Sequence, residues 1–196
     1  VWTECNKVVF NGDGYSEEWH KEAEKRGLPN LRTTADALPA IKEKETIELF
    51  KKYNVLSKRE TESRFEVYAE QYIKSVALEA NLVVEMARTM IFPAALRYQS
   101  ELASSLASLK AVGIEPDHKT IDVVTRLIAS LQDSVNELIA IKDKHNFKNV
   151  EDHMNFVRDS ILPKMLEIRS YVDDLEAYVA DDLWPLPTYQ EMLFIK

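Results

Sequence analysis

"IDVVTRLIASLQDSVNEL", residues 121–138, carries the most regular pattern in the chain. Its apolar residues Ile121, Val124, Ile128, Leu131, Val135 and Leu138 are separated by steps of 3, 4, 3, 4 and 3. At 3.6 residues per turn, those steps place all six on one stripe of a helix, the a/d seam of helix-on-helix packing. Such a stripe is stable only when covered by other helices, so this segment predicts a helical bundle. Short connections flank it: "GIEP" at 113–116 on one side, and the stretch from about His145 to Asn149 on the other. Connections that short make successive long helices antiparallel neighbours.

Upstream, Ser57 and Glu60 form an S-x-x-E capping box, and a helical pattern runs from there almost without interruption to Gly113. Phe65, Tyr68, Tyr72, Val76, Ala80, Val83, Ala87 and Met90 fall on one face. Pro93 predicts a kink or brief break, with Phe92 before it biased away from helix. Tyr98, Leu102, Leu106 and Leu109 continue the pattern beyond it. Downstream, Asn149 caps a last long helix carrying Met154, Val157, Ile161, Met165, Ile168, Val172, Leu175 and Val179 along one side, with Pro163 as a second kink. Asp173, Asp174, Glu176, Asp181 and Asp182 crowd the end of that helix, where the dipole disfavours carboxylates. The helix is expected to fray there, or the carboxylates to meet positive partners.

The first 56 residues are different in kind. Three of the four glycines fall in the first 27 residues. Residues 7–10, "KVVF", read as a short strand entering the turn "NGDGYS". Ser16 is the expected N-cap of a helix that Gly27 and Pro29 end. Thr33 or Thr34 caps a short turn stopped by Pro39, and a further helix covers 45–53 with Asn54 as its exit. The chain opens on "VWTECNKVVF", without an initiator Met, as if a strand were already in progress; this is a first hint of a piece of something longer. At the other end, "LWPLPTYQEMLFIK" (183–196) holds Trp184, Tyr189, Met192, Leu193 and Phe194, too much apolar surface to leave in water at a terminus. These five are the candidate interface residues.

The expected fold class is therefore mainly α. It is an up-down antiparallel bundle of long, Pro-kinked helices, with a short mixed N-terminal segment and an extended C-terminal tail. At 196 residues the chain buries a core without disulfides or metals. A net charge of −8 and a pI near 5.1 argue against nucleic acid or an anionic membrane as partner. The single cysteine, Cys5, allows no internal disulfide and fits a reducing cytosol, so a cytoplasmic location is expected. No run approaches the ~18 apolar residues of a membrane span.

No catalytic constellation emerges, and the expectation is no catalytic, cofactor-binding or metal-binding residue in this chain. "EEWH" puts Glu17 and His20 at i, i+3, the spacing of a metal-binding helix. Carboxylate-bridged di-metal bundles need two such motifs on helices and two further glutamates. Glu115 and His118 repeat the spacing but lie in the connection around Pro116, and His145 and His153 have no Glu three positions before them. "NGDGYS" lacks both the lysine and the spacing of a phosphate loop. The serines of "SELASSLAS" lie on a polar helix face with no nucleophile elbow.

Three stretches carry a resemblance: "VVFNGDGYSEEWHKEAEKRGLPNLRTTADALPAI" (8–41), "MIFPAALRYQSELA" (90–103) and "ADDLWPLPTYQEMLFIK" (180–196). Together, and in this order, they resemble the C-terminal region of type III glutamine synthetases, the large bacterial form of the enzyme that joins ammonia to glutamate using ATP. The resemblance implies that residues 1–56 are the end of a catalytic region, 57–182 a helical extension and 183–196 a docking tail; the alternative for the tail is that it folds along the bundle and covers its open end. It also implies that ATP and a divalent metal (Mg or Mn) bind upstream of this chain, and that the parent assembles as a homo-oligomer, a dodecamer of stacked rings. The implied partners are the upstream catalytic domain and neighbouring subunits. The runner-up reading is a free-standing helical protein–protein interaction module, which the seam from Ile121 to Leu138 equally supports.

Overall fold

The computed structural model of the chain describes residues 5–144 and 146–194, the side chains of residues 189 and 190 excepted. Every regular element among them is helical. The chain divides into two compact units, Val1–Tyr68 and Ala69–Lys196.

The first unit is made of short pieces. A 3-10 turn at Asn6–Val8 stands where a strand was expected at 7–10. The reason lies in the hydrogen bonds: no strand among the described residues pairs with this segment. Its carbonyls are met instead by one side chain, as Arg26 Nη1 donates to the carbonyl oxygens of Lys7 (3.1 Å) and Val9 (2.8 Å). Helix α1 (Glu17–Lys25) starts on Ser16, whose hydroxyl accepts from the Trp19 amide. It ends in a left-handed residue, Gly27 (φ 69°), where Leu28 N bonds back to Ala23 O and Gly27 N to Glu24 O. That pair of bonds is a Schellman cap, and it needs positive φ. Thr33 caps α2 (Thr34–Ala37), and the chain then tightens into a 3-10 turn at Leu38–Lys42 that accommodates Pro39 instead of stopping at it. Helix α3 (Lys44–Lys52) closes in the same way on Asn54 (φ 54°). Ring contacts supplement this thin core: Phe10 stacks on Trp19, Arg26 lies over the Trp19 ring, and Lys42 Nζ sits 4.4 Å from the Phe65 centroid.

Helix α4 (Lys58–Met86) begins on the expected capping box, with Ser57 N donating to Glu60 Oε2 and Glu60 N to Ser57 Oγ. The division between the units falls within this helix. Its buried face is Phe65, Ala69, Ile73, Val76 and Ala80, one position round from the expected stripe at its start, so Tyr68 is 43% exposed.

The second unit is the predicted bundle. Helix α5 (Phe92–Ala111), α6 (Lys119–Lys142) and the pair α7 (Val150–Phe156) and α8 (Leu162–Glu176) follow in order, with α6 packed against both α5 and α8. Cross-helix bonds fix the directions. Arg88 reaches Asn136 and Gln99 reaches Thr125, while Ser134 reaches Glu167 and Lys164 reaches Glu137. In each pair of contacts one number rises as the other falls, so α6 runs antiparallel to both neighbours. Having two neighbours also widens its apolar stripe. Besides Val124, Ile128, Leu131, Val135 and Leu138 of the seam, Leu127 and Ser134 are buried. Gly113 (φ 82°) ends α5 with a third Schellman cap, Ile114 N to Leu109 O and Gly113 N to Lys110 O.

At both prolines the outcome differs from a break. Pro93 and Pro163 each follow a five-residue π turn, Ala87–Ile91 and Val157–Ile161, and the helix continues through. Phe92 itself is helical (φ −57°, ψ −47°). A proline donates no bond to the carbonyl four residues back and crowds it, and widening the preceding turn relieves both problems. The same pattern, Arg-x-x-Ile-apolar-Pro, appears at 88–93 and 158–163, with Ile91 and Ile161 buried in each. No helix among the described residues is long and apolar enough to cross a membrane.

Candidate functional site

Most of the side chains with catalytic potential are engaged in local contacts. Glu17 Oε1 pairs with Arg32 at 3.6 Å, while His20 Nδ1 is buried without a hydrogen-bond partner. No group of three His, Cys, Asp or Glu among the described residues could hold a metal ion. His153 stacks on Phe147 at 4.2 Å, and His145 lies outside the described residues. Within "NGDGYS", Asp13 accepts from the Tyr15 amide and Ser16 donates to Asp13 O, which makes a turn leading into a helix cap. Ser104 and Ser108 donate to the carbonyls four residues back. Cys5 is exposed.

The residues set apart by their surroundings are in the tail. A 3-10 turn at Asp181–Leu183 packs against α5, and Trp184 leaves it extended (φ −76°, ψ 124°). Leu183, Trp184, Pro185 and Leu186 are half-buried. Thr188 and Glu191 then form a reciprocal capping box: Thr188 N donates to Glu191 Oε2 at 2.8 Å, and Glu191 N donates to Thr188 Oγ1. It opens the short helix α9 (Tyr189–Leu193). Beyond this point burial stops: Met192, Leu193 and Phe194 are 57%, 74% and 65% exposed. Of the five candidate interface residues, Trp184 is thus an anchor on the chain itself, and Met192, Leu193 and Phe194 stand in solvent. The side chain of Tyr189 lies outside the described part of the molecule.

Beneath the tail is a feature that sequence reasoning missed. A cavity of about 560 Å³ opens between α4 with its π turn, α8 and the tail. Val83, Met86, Ile91, Met165, Ile168 and Val172 form its apolar walls, Leu186 and Met192 its tail side, and Arg169, Asp173 and Glu176 its charged lip. Arg169 Nε holds Asp173 Oδ1 at 2.7 Å. The acidic end of α8 was the only signal in the sequence, since the walls come from elements about 80 residues apart.

A polar network ties α6 to α8 nearby. Lys164 Nζ bridges Glu137 and Glu167, both at 2.6 Å, and the buried Ser134 donates to Glu167. The bond from Lys164, aided by Ser134 and Tyr171, holds the Glu167 carboxyl below the ordinary carboxylate range. The two carboxylates in turn raise Lys164.

With the geometry established, known proteins identify the lineage. The family model described as glutamine synthetase C-terminal domain matches residues 1–110. The chain is 36% identical to a type-3 glutamine synthetase of Dictyostelium discoideum, over 97% of this chain and 27% of that protein. It is 30% identical to glutamine synthetases of Butyrivibrio fibrisolvens and Bacteroides fragilis, over 96% of this chain and 28% and 27% of theirs. The chain thus spans just over a quarter of the length of the curated relatives it matches. It belongs to the glutamine synthetase C-terminal domain family.

Proposed function

We propose that this chain is the non-catalytic, C-terminal helical part of a type III glutamine synthetase. The parent enzyme makes glutamine from glutamate, ammonia and ATP in the cytoplasm, and its ATP and its Mg or Mn are bound by residues upstream of this part. The role of this part is structural: its tail docks on the parent's own catalytic domain or on a neighbouring subunit of a homo-oligomer, a dodecamer in its full form. The observation that carries this reading is the tail's division. Residues 183–186 are anchored on the bundle, and a capped helix then presents Met192, Leu193 and Phe194 to solvent. Contiguous exposed apolar side chains on an ordered support mark an interaction site. The alternative of a free-standing interaction module loses its main support, because the seam from Val124 to Leu138 is buried within the chain.

An antibody against this chain, used on extract from the source cells, tests the reading. The expected capture is a polypeptide several times longer than 22.6 kDa, in a large assembly that forms glutamine with ATP. Replacing Leu193 and Phe194 by serine in that full-length protein should shrink the assembly, read by light scattering. A free chain of about the present size, without activity, would overturn the proposal.

A further inference from the structure

We infer that the cavity beneath the tail is a binding site for an amphiphilic cation, a linear apolar body carrying one ammonium or guanidinium head. The inference is independent of the parent enzyme's activity. The volume, about 560 Å³, falls within the ~300–1,000 Å³ of small-molecule sites. Its apolar surface includes three methionines from three different elements, Met86, Met165 and Met192. Thioethers on unbranched chains adapt to the shape of an inserted group, so these walls fit a flexible aliphatic or aromatic body.

The lip selects the sign of the head group. Arg169 is engaged by Asp173, and no cation among the described residues pairs with Glu176. Both carboxylates lie in the last turn of α8, where the helix dipole presents its negative end. Asp174 adds a third carboxylate to that turn. A cation placed at this lip relieves repulsion among groups that the helix end already disfavours, while an anionic head adds to it. The acidic turn alone would be an ordinary solvated helix end. An apolar chamber opening directly beside it gives the charge something to orient.

The five methionines supply the test, since Met90 and Met154 lie outside the cavity. The 196-residue chain, carrying carbon-13 in its methionine methyls, is titrated with decylammonium below its micelle concentration and, in parallel, with decyl sulfate. Saturable shifts are expected at Met86, Met165 and Met192 with decylammonium. Met154, 1% exposed in the core, should stay fixed and so report an intact bundle. Glu176→Gln, a change at an exposed position, should weaken decylammonium about threefold with an unaltered circular dichroism spectrum. Decyl sulfate binding as tightly, a Glu176→Gln chain binding as well as the parent, no saturable shift, or Met154 moving with the others would each overturn the proposal.

Discussion

The two compact units differ more in how they are held together than in what they are made of. Residues 69–196 bury Leu131, Leu138, Met154, Ile168 and Leu175 to 2% exposure or less. Residues 5–68 bury Ala23, Ala35, Thr61 and Phe65, and leave Val8, Tyr15, Leu49, Tyr53 and Val55 more than half exposed. The first unit does not lack apolar side chains. Apart from the first three turns of α4, its helices have nine residues or fewer and offer about two turns of a stripe, whereas α6 offers more than six. The bundle therefore rests on burial, and the first unit on caps, ring stacking and one arginine.

The strongest way to break this comparison is to cut the bundle's core. Leu138→Ala removes a side chain with no exposure from the packed face of α6. The expected loss is about 3–4 kcal/mol, read as a lower urea midpoint for the bundle. A loss under about 1 kcal/mol would mean that burial is not what holds it. The matching change in the first unit is Arg26→Ala, which deletes the ion pair to Glu22, both bonds to the 7–9 carbonyls and the contact over Trp19. About 2 kcal/mol is expected there, confined to faster amide exchange within residues 5–57. Slowly exchanging α6 amides should not respond, and if they do, the units are not energetically separate.

Most of the bundle was legible in the sequence because its cause is local and repeated. The seam of α6, the caps at Ser16, Ser57 and Asn149, and the helix exits at Gly27, Asn54 and Gly113 each follow from a side chain or a φ value that acts within a few residues. What could not be read depends on distance. Residues 7–10 have the composition of a strand, but a strand requires a ladder partner, and Arg26 takes that place from 17 to 19 positions away. Proline at 93 and 163 announces a disturbance without saying whether the helix breaks or widens, and the structure shows it widening into a π turn at each. The candidate site was half visible. Composition pointed to the tail, but only the packing of Leu183 to Leu186 separates its anchored part from its exposed part. Of the cavity below, only the acidic lip at Asp173 and Glu176 had a sequence signature.

A pH scan sharpens the contrast with a smaller effect. Glu167 titrates below its ordinary value of about 4.3, mainly through the Lys164 bond, so its contribution is complete above that value and is lost as pH falls through its depressed folded value. Lys164 titrates above its ordinary value of about 10.4. Its contribution is complete below that and is lost as pH rises through the raised folded value. The α6–α8 pairing should thus weaken at both ends of the scale, by about 1 kcal/mol or less, since both glutamates are substantially solvated. Lys164→Met should flatten both limbs of the stability profile. In the first unit, Glu22 is depressed by its bond to Arg26 and supplies an acid limb only. An alkaline limb that survives Lys164→Met would assign it to other groups.

The smallest expected effect says most about the tail. Leu193 and Phe194 resemble Leu131 and Leu138 in size and polarity, yet they are 74% and 65% exposed where those are at most 1%. A hydrophobic side chain stabilises a fold only by the area it removes from water on folding, so two residues that remain wet have little to contribute. Replacing both by serine should move the thermal midpoint of this chain by the equivalent of less than about 0.5 kcal/mol. Trp184→Ala, by contrast, removes a half-buried anchor and should cost about 2 kcal/mol. If the serine pair costs as much as the tryptophan, the tail end is packed on its own bundle in solution, and the case for a docking partner fails. If the cost is near zero in this chain but large in the full-length protein's assembly, the energy of those two side chains belongs to an interface.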